Sequence, residues 1–318
     1  MDRSTHSLIY RHLDLQSDLT TLVSLLNDVA QADHTGEKVT EETLREQLTW
    51  SGKDPALNNW VVVQPNSSSF VAYGIISKAL NDKAADIHLA VLPSWRRQGI
   101  GKRLLAHLLE RADELDTHSL RVYVDVRNEE ANLFVRTHGF EPVSAYRRLS
   151  MAGKHSFPPL VLPQGFAIRS YDQIERADLY TEALNRGYEG LWGHLQCDQE
   201  EIAHWLQQSH MDHTGIFLLF APDGTIAGTC RADLNEQLTA ERGTPIALID
   251  APGVVPEYRD ANLFLPLLLT TIDWLLPQNP TTLELDSWGD APSTIALYAS
   301  LGFSTIKEEI SYRRTLKP

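Results

Sequence analysis

The segment VLPSWRRQGIGKRLL, residues 91 to 105, sets four cations (Arg96, Arg97, Lys102 and Arg103) around two glycines, Gly99 and Gly101, between an apolar run and an amphipathic one. A strand that feeds a helix through such a loop leaves first-turn N–H groups without intrahelical partners, at the positive end of the helix dipole. Gly99 and Gly101 remove the Cβ atoms that would hold a ligand away from this backbone. The combination describes an anion site, and a diphosphate suits its charge and size. Its spacing is neither GxxxxGK[ST] nor GxGxxG, which argues against a nucleoside triphosphate or a nicotinamide dinucleotide. Just upstream, ADIHLAVLP sets Asp86, His88 and Ala90 on one strand face, since alternate residues share a face. His194, His204, His210 and His213 gather loosely in the second half without a ligand spacing such as HExxH, so no metal is expected. Cys197 and Cys230 form neither a CxxC pair nor a disulfide framework, and they read as buried thiols in a reducing, cytoplasmic setting.

The elements that must position the loop follow from periodicity. NWVVVQP, SFVAYGIIS and ADIHLAVLP are β-branched and aromatic runs bounded by Asn, Pro and Ser, as in a meander of strands. GIGKRLLAHLLERADEL then places Ile100, Leu104, Leu105, Leu108 and Leu109 at helical spacing. SLRVYVDV reads as a strand, NEEANLFVRTH as a short helix, and further strands close the half. Ahead of the meander stand a short strand, Leu8 to Leu13, and two polar-faced helical segments.

This half is written twice. VLPSWR at 91–96 returns as VVPEYR at 254–259, and HGF at 138–140 returns as LGF at 301–303, both displaced by 163 residues; AYRRL at 145–149 is answered by SYRRTL at 311–316. Such a repeat implies two copies of one supersecondary pattern. The second copy opens with a strand at Phe166 to Arg169 and continues through GIFLLFAP, GTIAGTCRAD, PIALIDAPGVVP, NLFLPLLLTTIDWLL, TTLELDSW and PSTIALYASL. Expected boundaries are a first domain over 1–152, a proline-rich linker over 153–163 and a second domain over 164–318. The fold class is mixed α/β: two tandem domains, each a mostly antiparallel twisted sheet flanked by helices.

The net charge of −14 speaks against a nucleic-acid binder, which needs basic surface to neutralise phosphates. The sequence also has no apolar run of membrane-spanning length and no apolar core of a signal peptide near its start, so neither a membrane nor an exported destination is expected. Residues 1–150 carry 17 Lys and Arg against 20 Asp and Glu, whereas residues 151–318 carry 11 against 22. An anionic ligand therefore favours the first half, and the acidic second half favours a cation.

V-x-P-x-x-R-R-Q-G-I-G after a strand resembles the acyl-CoA pyrophosphate loop of the GCN5-related N-acetyltransferases (GNAT). Asn128, Ala131, Phe134, Gly139 and Phe140 fall on that family's later signature, N-x-x-A-x-x-L-Y-x-x-x-G-F. The resemblance implies acetyl-CoA as co-substrate, its pantetheine arm along Ala90 and Val91, and its diphosphate held by Arg96, Arg97, Gln98, Gly99, Ile100, Gly101 and Lys102, with Asn128 nearby. It further implies transfer of acetyl to the amine of a small acceptor, with Asp86 and His88 as candidate bases. The family's proton-donating tyrosine aligns with Val135 in the first copy and Tyr298 in the second, leaving Tyr298, Tyr123 or Tyr146 as candidate acids. In the second copy Asp260, Asn262 and Phe264 replace Arg97, Gly99 and Gly101, so one CoA per chain is expected. Glu189, Asp198, Glu200 and Asp290 are carboxylates that would favour a cationic acceptor. Two alternatives stand beside this reading: a CoA-binding sensor or scaffold without chemistry, and acylation of a sugar amine in thiol-cofactor biosynthesis, suggested by the tandem layout. An oligomer is compatible with all three.

Overall fold

The computed structural model describes residues 8–317 except 37, 50–53, 66, 80–81, 154–155, 193, 195, 209 and 210. His210 and part of the expected linker lie outside the described residues. The first copy runs β1 (Ile9–His12), α1 (Leu19–Ala32), α2 (Glu41–Thr49), α3 (Pro55–Asn58), β2 (Asn59–Val63), β3 (Phe70–Ser77), β4 (Ala84–Val91), α4 (Ile100–Glu114), β5 (Ser119–Asp125), α5 (Glu129–Thr137) and β6 (Glu141–Ala152). The second runs β7 (Ala167–Ser170), α6 (Ala177–Gly187), α7 (Gln199–Leu206), β8 (Ile216–Phe220), β9 (Ile226–Leu234), α8 (Glu236–Arg242), β10 (Ile246–Asp250), β11 (Gly253–Val254), α9 (Phe264–Leu275), β12 (Thr282–Trp288), α10 (Pro292–Ser300) and β13 (Ser304–Thr315). The stretch PIALIDAPGVVP, expected as one strand, is broken into β10 and β11 at Ala251-Pro252, because proline supplies no ladder donor. Helix α8, between β9 and β10, has no counterpart among the described residues of the first copy and carries no apolar repeat that would reveal it.

Two compact units result, and they do not follow chain order: residues 1–143 with 310–318 form one, and 144–309 form the other. The repeat-based boundaries at 152 and 164 are sequential, whereas each unit incorporates the closing strand of the other copy. In the first unit β1 to β4 are an antiparallel meander, β4 and β5 pair in parallel, and the C-terminal part of β13 follows β5. In the second unit β6 pairs antiparallel with β12, β12 in parallel with β10, and β9, β8 and β7 continue antiparallel. Phe157 and Leu162, from the proline-rich stretch, pack on the second unit's core.

Alternation decides which face each helix covers. Odd positions of β4, Ala85 and Ile87, pack with Leu105, Leu108 and Ala112 of α4, and even-numbered Ala90 packs with Leu22 and Leu25 of α1. The buried stripe of α4 is Ile100, Leu104, Leu105, Leu108 and Ala112, with Leu109 only partly buried. In the second unit α9 is apolar almost all round and buries seven residues against β9 and its neighbours.

Tyr312 shows how much the first unit depends on its borrowed strand. It is 0% exposed, packs in the α4 core, receives a hydrogen bond from Arg136 Nε (3.0 Å) and donates one to Asn132 Oδ1 (2.8 Å). Tyr312→Ala should therefore cost about 3–5 kcal/mol, the usual loss for a large buried ring. The loss should show in urea unfolding, with faster amide exchange in β5 and α5 and unchanged protection in β8 and β9. Burial pushes the Cys230 thiol up to about 12 and raises that of Cys197 as well. Because thiolate is the reactive form, iodoacetamide at pH 8 should leave Cys230 unmodified in the native protein and label it after unfolding, as read by mass spectrometry.

Candidate active site

The loop after β4 is built by local backbone geometry. Pro93–Trp95 form one 3-10 turn, Arg97 adopts φ 60°, and Gly99 at φ 82° is the N-cap of α4 with no side-chain cap. A left-handed φ is uncommon for a residue with a Cβ, and glycine meets it without strain. The N–H groups of the first turn of α4 are left for a ligand or solvent. They border a cleft of ≈ 380 Å³.

Of the residues expected to hold the co-substrate, Ala90, Val91, Arg96, Arg97, Gly99, Ile100, Gly101, Lys102 and Asn128 line this cleft. Gln98 does not: it is exposed and its amide donates to Ser94 O (3.1 Å), bracing the turn. Asn128 is the N-cap of α5 and its Oδ1 accepts from Ala131 N (3.0 Å). A second wall comes from β4 itself. Its parallel pairing with β5 stops at Asp86 opposite Arg121, although both strands continue, so from Ile87 onward that edge of β4 has no strand partner among the described residues.

The four loop cations separate by role. The Arg96 guanidinium donates through Nε to Val91 O (3.0 Å), pairs with Asp33 (2.8 Å) and lies 3.9 Å from Glu130. Arg103 stacks over the Tyr10 ring, 4.1 Å from its centroid. Arg97 and Lys102 line the cleft, and among the described residues neither is paired with another side chain. Sequence reasoning missed Val29 and Asp33 from α1, and also Trp95, Glu130 and His138 on the cleft wall. The α5 wall had a readable signal, because Asn128, Ala131, Phe134 and His138 recur at helical spacing. His138 Nδ1 donates to Phe134 O (2.7 Å), since a carbonyl only accepts.

The candidate catalytic groups are dispersed. Asp86 and His88 share the β4 face that carries Ala90 and are not among the lining residues; Asp86 is held by Arg121 (2.7 and 3.2 Å), which Asp82 also grips (2.8 Å). Tyr123, two residues beyond Arg121 on β5, faces the same side by strand parity. Val135 is a core residue of the first unit. Tyr298 is 0% exposed in the second unit's core, donates to Asp290 Oδ2 (3.3 Å), and has its hydroxyl pushed well above the usual range by burial. Tyr146 likewise belongs to the second unit, donating to Asp286 (2.7 Å). Among the other named carboxylates, Asp198 caps α7 through Glu200 N and Glu201 N, and burial raises Asp290. Of the described histidines, His204 meets Gln208 and His213 meets Leu206 O, each a separate partner.

The second copy keeps the turn and loses the cleft lining. Asn262 holds the left-handed φ (56°) of Gly99, as asparagine can, and Arg259 Nε donates to Val254 O at 3.0 Å, repeating the Arg96 bond to Val91. Phe264 stands where Gly101 was and packs on the core, its ring 5.9 Å from that of Tyr298. The β10–β12 ladder runs to Asp250 opposite Asp286, with Ala251 N donating to Asp286 O (3.3 Å). Tyr188 Oη bonds Ala251 O (2.7 Å), and a Cβ on Gly187 would lie 3.1 Å from the Gly253 backbone, so the end of α6 rests directly on β11.

Residues 22–140 match the acetyltransferase (GNAT) family model. A mycothiol acetyltransferase of Renibacterium salmoninarum is 25% identical over 230 residues, covering 71% of this chain and 66% of that protein. One from Pseudarthrobacter chlorophenolicus is 22% identical, covering 86% and 85%. Among solved structures, a GCN5-related N-acetyltransferase from Sphaerobacter thermophilus superposes with a TM-score of 0.73 at 20% identity, covering 98% of this chain and 96% of that one. A tandem GNAT protein of the clavulanic acid biosynthesis pathway does so at 0.65 and 18%, covering 98% and 99%. Its first copy thus matches the acetyltransferase (GNAT) family model, and its whole length shares the doubled fold of tandem GNAT proteins.

Proposed function

We propose that the first unit binds acetyl-CoA and transfers its acetyl group to the amine of a small acceptor. One observation carries the reading: the uncapped start of α4 and the open edge of β4 border the same cleft, beside Arg97 and Lys102. The pantetheine arm satisfies the unpaired backbone of β4, and the diphosphate meets first-turn N–H groups and both cations. The neutral amine attacks the thioester carbonyl, the C–S bond breaks and CoA leaves as thiolate. With a thiol pKa of ~8.5, thiolate is a tolerable leaving group near neutral pH, which bears on an enzyme with valine at the tyrosine position. His88, or Asp86 acting through a water, takes the amine proton. No helix among the described residues is long and apolar enough to cross a membrane, and the buried thiol of Cys230 suits a reducing setting. A second reading, favoured by the relatives named mycothiol acetyltransferase, takes the acceptor to be a sugar amine of thiol-cofactor biosynthesis.

Calorimetry should find about one acetyl-CoA per chain. Gly101→Glu puts a carboxylate where the diphosphate is proposed to lie and crowds the Phe134 ring, 3.4 Å from the Cβ position. Its expected effect is at least about a 100-fold weaker Kd, ~2.7 kcal/mol, with unchanged circular dichroism. Tight binding by this variant would overturn the reading. Steady, enzyme-dependent release of free CoA thiol with some member of an amine panel separates catalysis from a sensor. If the second unit's carboxylates steer a cationic acceptor, kcat/KM for it should fall as salt rises past about 0.1 M, where screening sets in near 10 Å, and acidic acceptors should be poor.

A further inference from the structure

We infer that Arg96 is a positioning residue which, through Asp33, ties the end of α1 to the acyl-CoA loop, while Arg97 and Lys102 supply the charge that meets the diphosphate. The inference rests on the proposed use of the cleft and assigns its loop cations different tasks. Arg96 is committed on three sides, with Nε on Val91 O (3.0 Å), Nη2 on Asp33 (2.8 and 2.9 Å) and Nη1 facing Glu130 (3.9 Å). Its side chain is 24% exposed and that of Asp33 17%, so this is a partly desolvated, charge-assisted pair with both carboxylate oxygens on Nη2, rather than a loose surface one.

The second copy supplies the independent observation. There Arg259 makes the same Nε bond to the strand-end carbonyl, Val254 O, at the same 3.0 Å. Yet Asp260, Phe264 and Leu265 stand in place of Arg97, Gly101 and Lys102. An arginine kept in an identical bond where the anion-binding set is gone serves the turn between strand and helix. In place of Asp33, Arg259 finds a backbone acceptor, Glu189 O. Arg97 and Lys102, by contrast, line the cleft of the first unit and are replaced by an acid and an apolar residue in the second.

Asp33→Asn separates the two roles by sign, because it removes a negative charge beside the loop. If Arg96 acts as a phosphate ligand competed for by Asp33, acetyl-CoA should bind more tightly; if Asp33 holds Arg96 as a pin, it should bind several-fold more weakly. Arg96→Lys keeps the charge without the fork, so as a pin it should weaken binding about tenfold, close to the loss in Arg96→Ala, rather than rescue it. Arg97→Ala and Lys102→Ala should each flatten the dependence of log Kd on log salt, and Arg96→Lys should leave that slope unaltered. Amide exchange of the ligand-free protein tests the pin apart from the cleft's ligand: Arg96→Lys and Asp33→Asn should speed exchange at 92–103 and 30–34, with β8 and β9 unchanged as the control for folding. Tighter binding by Asp33→Asn, full rescue by Arg96→Lys, or unaltered exchange at both segments overturns the inference. Failure of the wild-type protein to bind acetyl-CoA overturns the proposed use of the cleft and leaves the exchange result to decide the pin.

Discussion

Backbone polar groups must find partners, and the first unit withholds partners from two adjacent sets of them. The β4–β5 ladder stops at Asp86 and Arg121, leaving one edge of β4 open, and α4 begins at a glycine with no side-chain cap. Unpaired backbone buried away from water is costly, so such groups persist where solvent or a ligand completes them. The rest of the unit serves this arrangement. Helices α1 and α4 clamp opposite faces of β4 through its alternating residues, α5 walls the cleft with one helical stripe, and Arg96 holds the loop to α1.

The first unit is completed by a segment far away in the chain. Tyr312 joins the core built by α4, β5 and α5 and bonds Arg136 and Asn132, and Leu316 N donates to His118 O. The second unit takes in 144–152 in the same manner, with Arg148 held by Asp286 and Tyr146 bonded to the same carboxylate. β6 and β13 are the equivalent strands of the two copies, and each unit takes in part of the other copy's strand. Order in the cleft-bearing unit therefore depends on residues 310–317, far along the chain from the cleft.

Divergence between the copies is sharper in side chains than in backbone. Asn262 reproduces the left-handed turn of Gly99 and Arg259 reproduces the bond of Arg96, so the connection from strand to helix is retained. What changes is the space beyond it. Phe264 fills the volume that Gly101 leaves open, and α6 presses on β11 closely enough that a Cβ on Gly187 or Gly253 would be crowded. Packing against the core occupies that space, which is how a buried helix start avoids an empty cavity.

The sequence by itself determined the doubling, the mixed α/β class, the stripe of α4 and the run of cations and glycines in the 96–102 loop. Each is written within a few residues, by helical or alternating periodicity and by glycine at positions of special backbone geometry. The Asn128–His138 wall was open to the same reading, since its spacing is helical. Only the tertiary structure decided that Arg96 faces Asp33, that the β4–β5 ladder ends early, that Tyr298 is core, and that residues 310–317 close the first unit. These depend on which edges and faces meet across tens or hundreds of residues. A strand's own residues do not say which copy's sheet edge it joins, and an arginine's local sequence does not say which carboxylate lies within its reach, so pairing and packing of the whole chain settle both.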